Sequence, residues 1–240
     1  MGLRNIFEKS KKQLPPLQFM AQEEERVRRD LSEKEIKERM RRIEQDFRLA
    51  FDALKGHHST VTFFGSSVIP ESSSYYQHAR ELARKIVEQL NLTIVSGAGP
   101  GIMEAANRGA YEADKKNSIG MAIQLPHEQE TNRYVSHSAS FYYFFSRKMA
   151  LTFTARAYIF FPGGYGTLDE LFEILTLKKN GKIPPIPIIL FESDFWMPLH
   201  NYLKEVVYEK THAIDKEDMD IYVITDDQEE VLNIIAGRGL

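Results

Sequence analysis

The chain has 240 residues, which suits one α/β domain or two small ones, and its 42% of hydrophobic residues supplies a sizeable core. A net charge of −3 gives no global basic field for nucleic acid, so any phosphate recognition must be local. There is no cysteine, which excludes disulfides, thiolate catalysis and cysteine-ligated metals and points to a reducing, cytoplasmic setting.

Met1 to Phe7 holds none of the apolar stretch of a secretory leader, and no run approaches membrane-spanning length. Residues 1–20 are mixed and broken at Pro15-Pro16, the pattern of a flexible or partner-docked arm. Ser32-Glu33-Lys34-Glu35 has capping-box spacing, and Ile36, Met40, Ile43, Phe47, Phe51 and Leu54 then recur at helical steps until Gly56. The apolar stripe needs a partner, on the main body or on a second subunit. The opposite face, dense in Arg, Lys and Glu, reads as solvated. An arm with an amphipathic helix is expected over 1–58, and a second domain over 59–240.

From residue 60 short apolar runs alternate with helical periods. Strands are expected at Val61–Gly65, Leu92–Ser96, Ser118–Ile123, Ala157–Phe161, Pro187–Phe191 and Ile221–Ile224. Helices are expected at Ser72–Leu90, from Gly101 to near Lys116, and at Ser140–Arg156, Thr167–Asn180, Asp194–Glu209 and Thr225–Ala236. A polar loop is expected over Gln124–Ser138. The alternation predicts a Rossmann-like, doubly wound parallel sheet with helices on both faces and an extra N-terminal helix.

Such a sheet binds ligands beyond the carboxyl ends of its strands. Three glycine-containing turns arrive there: Gly65-Ser66-Ser67, Gly97 to Gly101, and Gly163 to Thr167. Tight turns need glycine anyway, but three on one rim favour a phosphate-bearing ligand. The dinucleotide fingerprint does not fit. The glycines follow the second strand with G-x-G-x-G spacing, and no acid stands at Gln124-Leu125 to hold a ribose. No G-x-x-x-x-G-K-[ST] occurs either, so a mononucleotide fits better.

Two readings of Glu170 stand open. Thr167-Leu168-Asp169-Glu170 has capping-box spacing, in which Thr167 caps the helix and Glu170 reaches back to its N–H. Alternatively Glu170 is a catalytic acid at the edge of the phosphate cradle. Asp169 points about 100° away on the helix and reads as solvated or dipole-stabilising. Tyr143, Arg147, Ala150 and Thr154 share a helical face, behind five consecutive aromatics from Phe141 to Phe145. Arg147 could stack on a base or hold a carboxylate; an ordinary surface ion pair explains it equally. The seven histidines, among them His57, His58, His127 and His137, show no metal spacing, and no metal is expected.

Pro162-Gly163-Gly164-Tyr165-Gly166-Thr167-Leu168-Asp169-Glu170 resembles the PGGxGTxxE signature of the Lonely Guy family. Ser96-Gly97-Ala98-Gly99-Pro100-Gly101-Ile102-Met103-Glu104 resembles its second glycine motif, Ser146-Arg147-Lys148 its arginine–lysine pair, and Phe64-Gly65-Ser66-Ser67 its opening strand and turn. The similarity spans roughly residues 60–238 in the family's order. It implies a phosphoribohydrolase that splits a nucleoside 5′-monophosphate, in some members a cytokinin nucleotide, into base and ribose 5-phosphate. It implies Arg147 and Glu170 as the catalytic pair, and Gly163, Gly164, Gly166 and Thr167 around the phosphate, with Gly99 and Gly101 beside it. It also implies Ser66 and Lys148 as substrate-binding, a homodimer or larger homo-oligomer, and no cofactor. Ala98 and Glu104 stand where many or shorter members have glycine, and shorter members lack the helix at 32–54. A purine monophosphate, AMP or an N6-modified AMP, is the expected substrate. The alternatives are a non-catalytic nucleotide- or cofactor-binding carrier and a pyridoxal-phosphate decarboxylase using Lys148.

Overall fold

The computed structural model describes residues 32–57, 59–124 and 131–237. The arm at 1–31, His58 and His127 lie outside the described residues. The chain divides into two compact units, residues 1–41 and 42–240. In the first, Ser32 opens helix α1 (Glu33–Leu54), accepting the Glu35 N–H at 3.3 Å and donating its hydroxyl to the Glu35 carboxylate at 3.3 Å. That is the expected cap.

The second unit is a seven-stranded parallel sheet in the order β4-β3-β2-β1-β5-β6-β7. The strands are β1 (Thr60–Phe64), β2 (Thr93–Ser96), β3 (Ser118–Ile123), β4 (His137–Phe141), β5 (Ala155–Phe160), β6 (Ile188–Phe191) and β7 (Val223–Thr225). The remaining helices are α2 (Ser74–Leu90), α3 (Ile102–Ala113), α4 (Phe144–Thr152), α5 (Tyr165–Lys179), α6 (Ser193–Tyr202) and α7 (Gln228–Ile235). Alternate residues of the central strands feed two cores. Val61, Phe63, Ala157, Ile159 and Ile189 pack with α2, α3 and α7 on one face. Phe64, Tyr158, Phe160, Ile188 and Leu190 pack with Ala50 and Leu54 of α1 and with α4, α5 and Trp196 of α6 on the other. Trp196 closes that side by donating its indole N–H to the Phe160 and Phe191 carbonyls at 3.1 and 3.0 Å. This is the doubly wound, Rossmann-like arrangement expected.

Two expectations are corrected. The supposed loop and helix around residue 140 hide an edge strand, β4, paired with β3 from Ile119↔His137 to Ile123↔Phe141. Its His-Ser-Ala-Ser-Phe sequence buries only Ala139 and Phe141, so no apolar run marked it. The helix behind it therefore begins at Phe144, and Tyr143 becomes its N-cap residue. Helix α1 buries Asp46, Ala50 and, of the apolar stripe, Leu54; Phe51 stays 46% exposed and meets Phe153 edge-on.

Candidate active site

The strand order reverses between β1 and β5, where a crevice opens past the strand ends. The main chain of Ser66 ties the three turns around it. Its N–H donates to the Pro162 carbonyl at 3.0 Å, and its carbonyl accepts the Ile102 N–H at 3.0 Å. The resulting cavity of about 420 Å³ is of a size usual for small-ligand pockets. Ser66, Arg147, Gly164, Gly166, Thr167 and Glu170 all line it.

Helix α5 starts at Tyr165, two residues before its expected start, with Gly164 at the N-cap and no side chain capping it. The first N–H groups of a helix lack partners within it, so this uncapped end presents donors and a partial positive charge to the cavity. The earlier start removes the capping-box reading of Thr167 and Glu170. Thr167 is the third helical residue, not the cap, and Glu170 is not tied back to it. Glu170 is instead 8% exposed at the cavity wall. Burial raises its carboxyl above the ordinary range, against the pull of Arg147 and, more weakly, Lys148.

Arg147 projects from α4 toward the same wall. Its Nε–H donates to the Met121 carbonyl of β3 at 2.7 Å. Burial lowers its pKa and the Glu170 charge opposes that. The guanidinium passes over Gly97, where a β-carbon would collide with it and with the Met103 sulfur. Gly97 thus gives Arg147 its path. It was visible in the glycine motif but had not been singled out; Met103 of the same motif and Phe144 of the aromatic run Phe141 to Phe145 also line the cavity.

The other expected residues lie just outside the cavity wall. Gly101, at φ +70°, lets the second turn pack directly under the Ser66 carbonyl. The Gly99 carbonyl accepts from Asn132 Nδ2 at 3.1 Å. Asn132 also bonds the Ala98 carbonyl through its main chain at 2.9 Å and the buried Asn107 at 3.0 Å, which fixes the turn from below. Gly163 packs against Thr167. Lys148 turns along α5, with its ammonium 2.6 Å from both Asp169 and Glu173. Asp169, expected to be solvated, is 62% exposed and ion-paired. His57 bonds Thr93 at 2.9 Å and His137 begins β4. Among the described residues no group of His, Cys, Asp and Glu is placed to hold a metal ion.

A family model described as possible lysine decarboxylase matches residues 103–235. The cytokinin riboside 5′-monophosphate phosphoribohydrolase of Rhodococcoides fascians is 24% identical over 156 residues, 62% of this chain and 76% of that protein. The enzyme of the same name (LOG) from Oryza sativa subsp. japonica is 28% identical, over 65% of this chain and 64% of that protein. Among solved structures, the molybdenum cofactor binding protein of Rippkaea orientalis aligns with a TM-score of 0.53 at 19% identity, over 75% of this chain and 94% of that one.

Proposed function

Since the chain belongs to the family of possible lysine decarboxylases, the Lonely Guy family, we propose that it hydrolyses the N-glycosidic bond of a purine nucleoside 5′-monophosphate to free base and ribose 5-phosphate. AMP or an N6-modified AMP is the substrate we favour. One observation carries this reading: a buried carboxylate, Glu170, and a partly buried guanidinium, Arg147, face one cavity whose mouth holds an uncapped helix N-terminus.

The chemistry follows from charge. As the bond from C1′ to the base breaks, its electron pair leaves with the base, which takes up a proton, and positive charge builds on the ribose. The Glu170 carboxylate steadies that charge through the ribose hydroxyls or by orienting the water that adds to C1′. In a poorly solvated wall this interaction is stronger at the transition state than in the ground state. Arg147 keeps Glu170 ionised and placed, or holds the departing base. The α5 N-terminus and the Ser66 turn grip the phosphate, anchoring the sugar away from the reacting carbon.

Two rival readings are weaker. Decarboxylation by a Schiff base needs a neutral amine. Burial works to lower the Lys148 pKa, but Asp169 and Glu173 outweigh it and leave the amine raised, charged and occupied. A carrier role is suggested by the likeness to a cofactor-binding protein, which at this identity is a likeness of fold. A carrier has no need of a buried carboxylate and an arginine lining one pocket. Incubation with AMP decides: we expect equimolar adenine and ribose 5-phosphate, with adenosine at least ~100-fold poorer because it forfeits the anion contacts. AMP bound but intact would favour the carrier. We further propose a homodimer or larger homo-oligomer, since Tyr142, Phe144, Phe145 and Phe153 are each about half exposed. A monomer mass by light scattering would overturn it.

A further inference from the structure

The buried polar residue of α1 touches the helix that carries Arg147. Asp46 is 3% exposed. Its Oδ1 accepts the Tyr142 N–H at 3.1 Å, and its Oδ2 accepts the Tyr143 N–H at 2.9 Å and the Ser146 hydroxyl at 2.5 Å. No side chain of α4's own N-cap residue, Tyr143, performs this task. A carboxylate borrowed from a distant helix therefore gathers the chain entering α4 and offsets the positive end of its dipole. A buried charge survives only when so satisfied. Arg147 follows Ser146 directly, and the guanidinium is pinned through its Nε–H by the Met121 carbonyl at 2.7 Å. Two anchors, the start of α4 and strand β3, thus set where the guanidinium sits in the electrostatic field of Glu170. Slippage of the first shifts Arg147 against the second.

We propose that Asp46 is a positioning residue for the reaction, acting through Ser146 and the first turn of α4 to hold Arg147 in register with Glu170. The proposal rests on the hydrolase reading above. It gives helix α1 a part in the chemistry beyond packing.

The test uses the full chain carrying Asp46→Asn, Ser146→Ala, Arg147→Lys and the pair Asp46→Asn/Arg147→Lys. Adenine release from AMP is followed at a temperature where circular dichroism shows each protein folded. Asp46→Asn is expected to lower kcat about 100-fold while KM for AMP moves less than about threefold, because the phosphate contacts are untouched. Ser146→Ala is expected to lower kcat about tenfold. In the Arg147→Lys background, Asp46→Asn should add less than about a twofold further loss, since both act on one geometry. Wild-type kcat at a lowered melting temperature would make Asp46 a structural cap only and overturn the proposal. Full additivity with Arg147→Lys would do the same. If Asp46→Asn does not fold, Ser146→Ala decides alone, with an unchanged kcat overturning the proposal. Absence of adenine release from the unmutated chain shows separately that the hydrolase reading fails, and the proposal falls with it.

Discussion

Burying Glu170 loads the fold with a carboxyl whose pKa is raised by desolvation more than Arg147 lowers it. A group raised on folding lends its stability in full below its unfolded pKa, and that contribution is lost as pH rises through the folded value. Ionising Glu170 as pH rises therefore works against the fold it serves. Glu170→Gln should abolish most adenine release and yet melt higher than the parent at pH 7. The gain should shrink to nothing below the ordinary carboxylate pKa of about 4.3. A variant that melts lower at pH 7 would show that attraction to Arg147 outweighs burial. The same raised pKa sets the acidic limb of kcat/KM, which should fall above the ordinary carboxylate range because the ionised form is the active one. Ala98 carries a second local strain. It sits at φ +65°, in the left-handed region that β-carbons disfavour, and is held there by Asn132. Ala98→Gly should raise stability by up to about 1 kcal/mol in denaturant titration without changing KM for AMP. No gain would mean that packing of the Ala98 methyl against Gly120 offsets the strain.

At the level of elements, the site is a meeting of α4, α5 and the turn after β2. Gly97 is the gap through which α4 reaches α5. Its φ is not in the left-handed region, so Gly97→Ala suits the backbone and offends only Arg147 and Met103. That variant should keep its circular dichroism spectrum and lose kcat/KM about 100-fold as Arg147 is displaced. Near-native activity would show that the reaction does not need Arg147 on its path over Gly97. These elements differ in how plainly the amino acids announced them. The central strands were legible because burial on both faces forces runs such as Ala157 to Phe161. The third turn was legible from its run of glycines, of which only Gly163 is crowded, by Thr167, while Gly164 and Gly166 face open space. Strand β4 was not, because an edge strand tolerates His137, Ser138 and Ser140 on its exposed positions. Nor was the start of α5: Thr167 and Glu170 carry capping-box spacing, but Gly164 already ends the turn, and no local pattern reveals that a helix begins bare. Asp46 gave no signal because an aspartate among Arg, Lys and Glu on one helix looks solvated until the helix is docked.

Taken whole, the second unit places its cavity beyond the ends of β1 and β5, where the strand order reverses, and the cavity wall draws on both halves of the sheet. Ser66 and Gly97 come from the β1–β3 side, and Gly164, Thr167 and Glu170 from the β5–β7 side. A ligand that bonds both sides links them, and anything that binds only the folded state shifts the unfolding equilibrium by mass action. Ribose 5-phosphate, the expected product, retains the anion and the sugar hydroxyls. At a hundredfold excess over its Kd it should stabilise the fold by about 2.7 kcal/mol. For a domain of this size that is a rise of roughly 5–11 °C in melting temperature. Adenosine, with the sugar and base but no phosphate, should raise it little at the same concentration, because the uncapped α5 N-terminus finds no anion. Differential scanning calorimetry with the two ligands separates the contributions. Equal shifts would mean that the glycine turns do not grip the phosphate. A shift from ribose 5-phosphate that survives Glu170→Gln would assign the anchoring to the turns and leave the carboxylate free for the bond-breaking step.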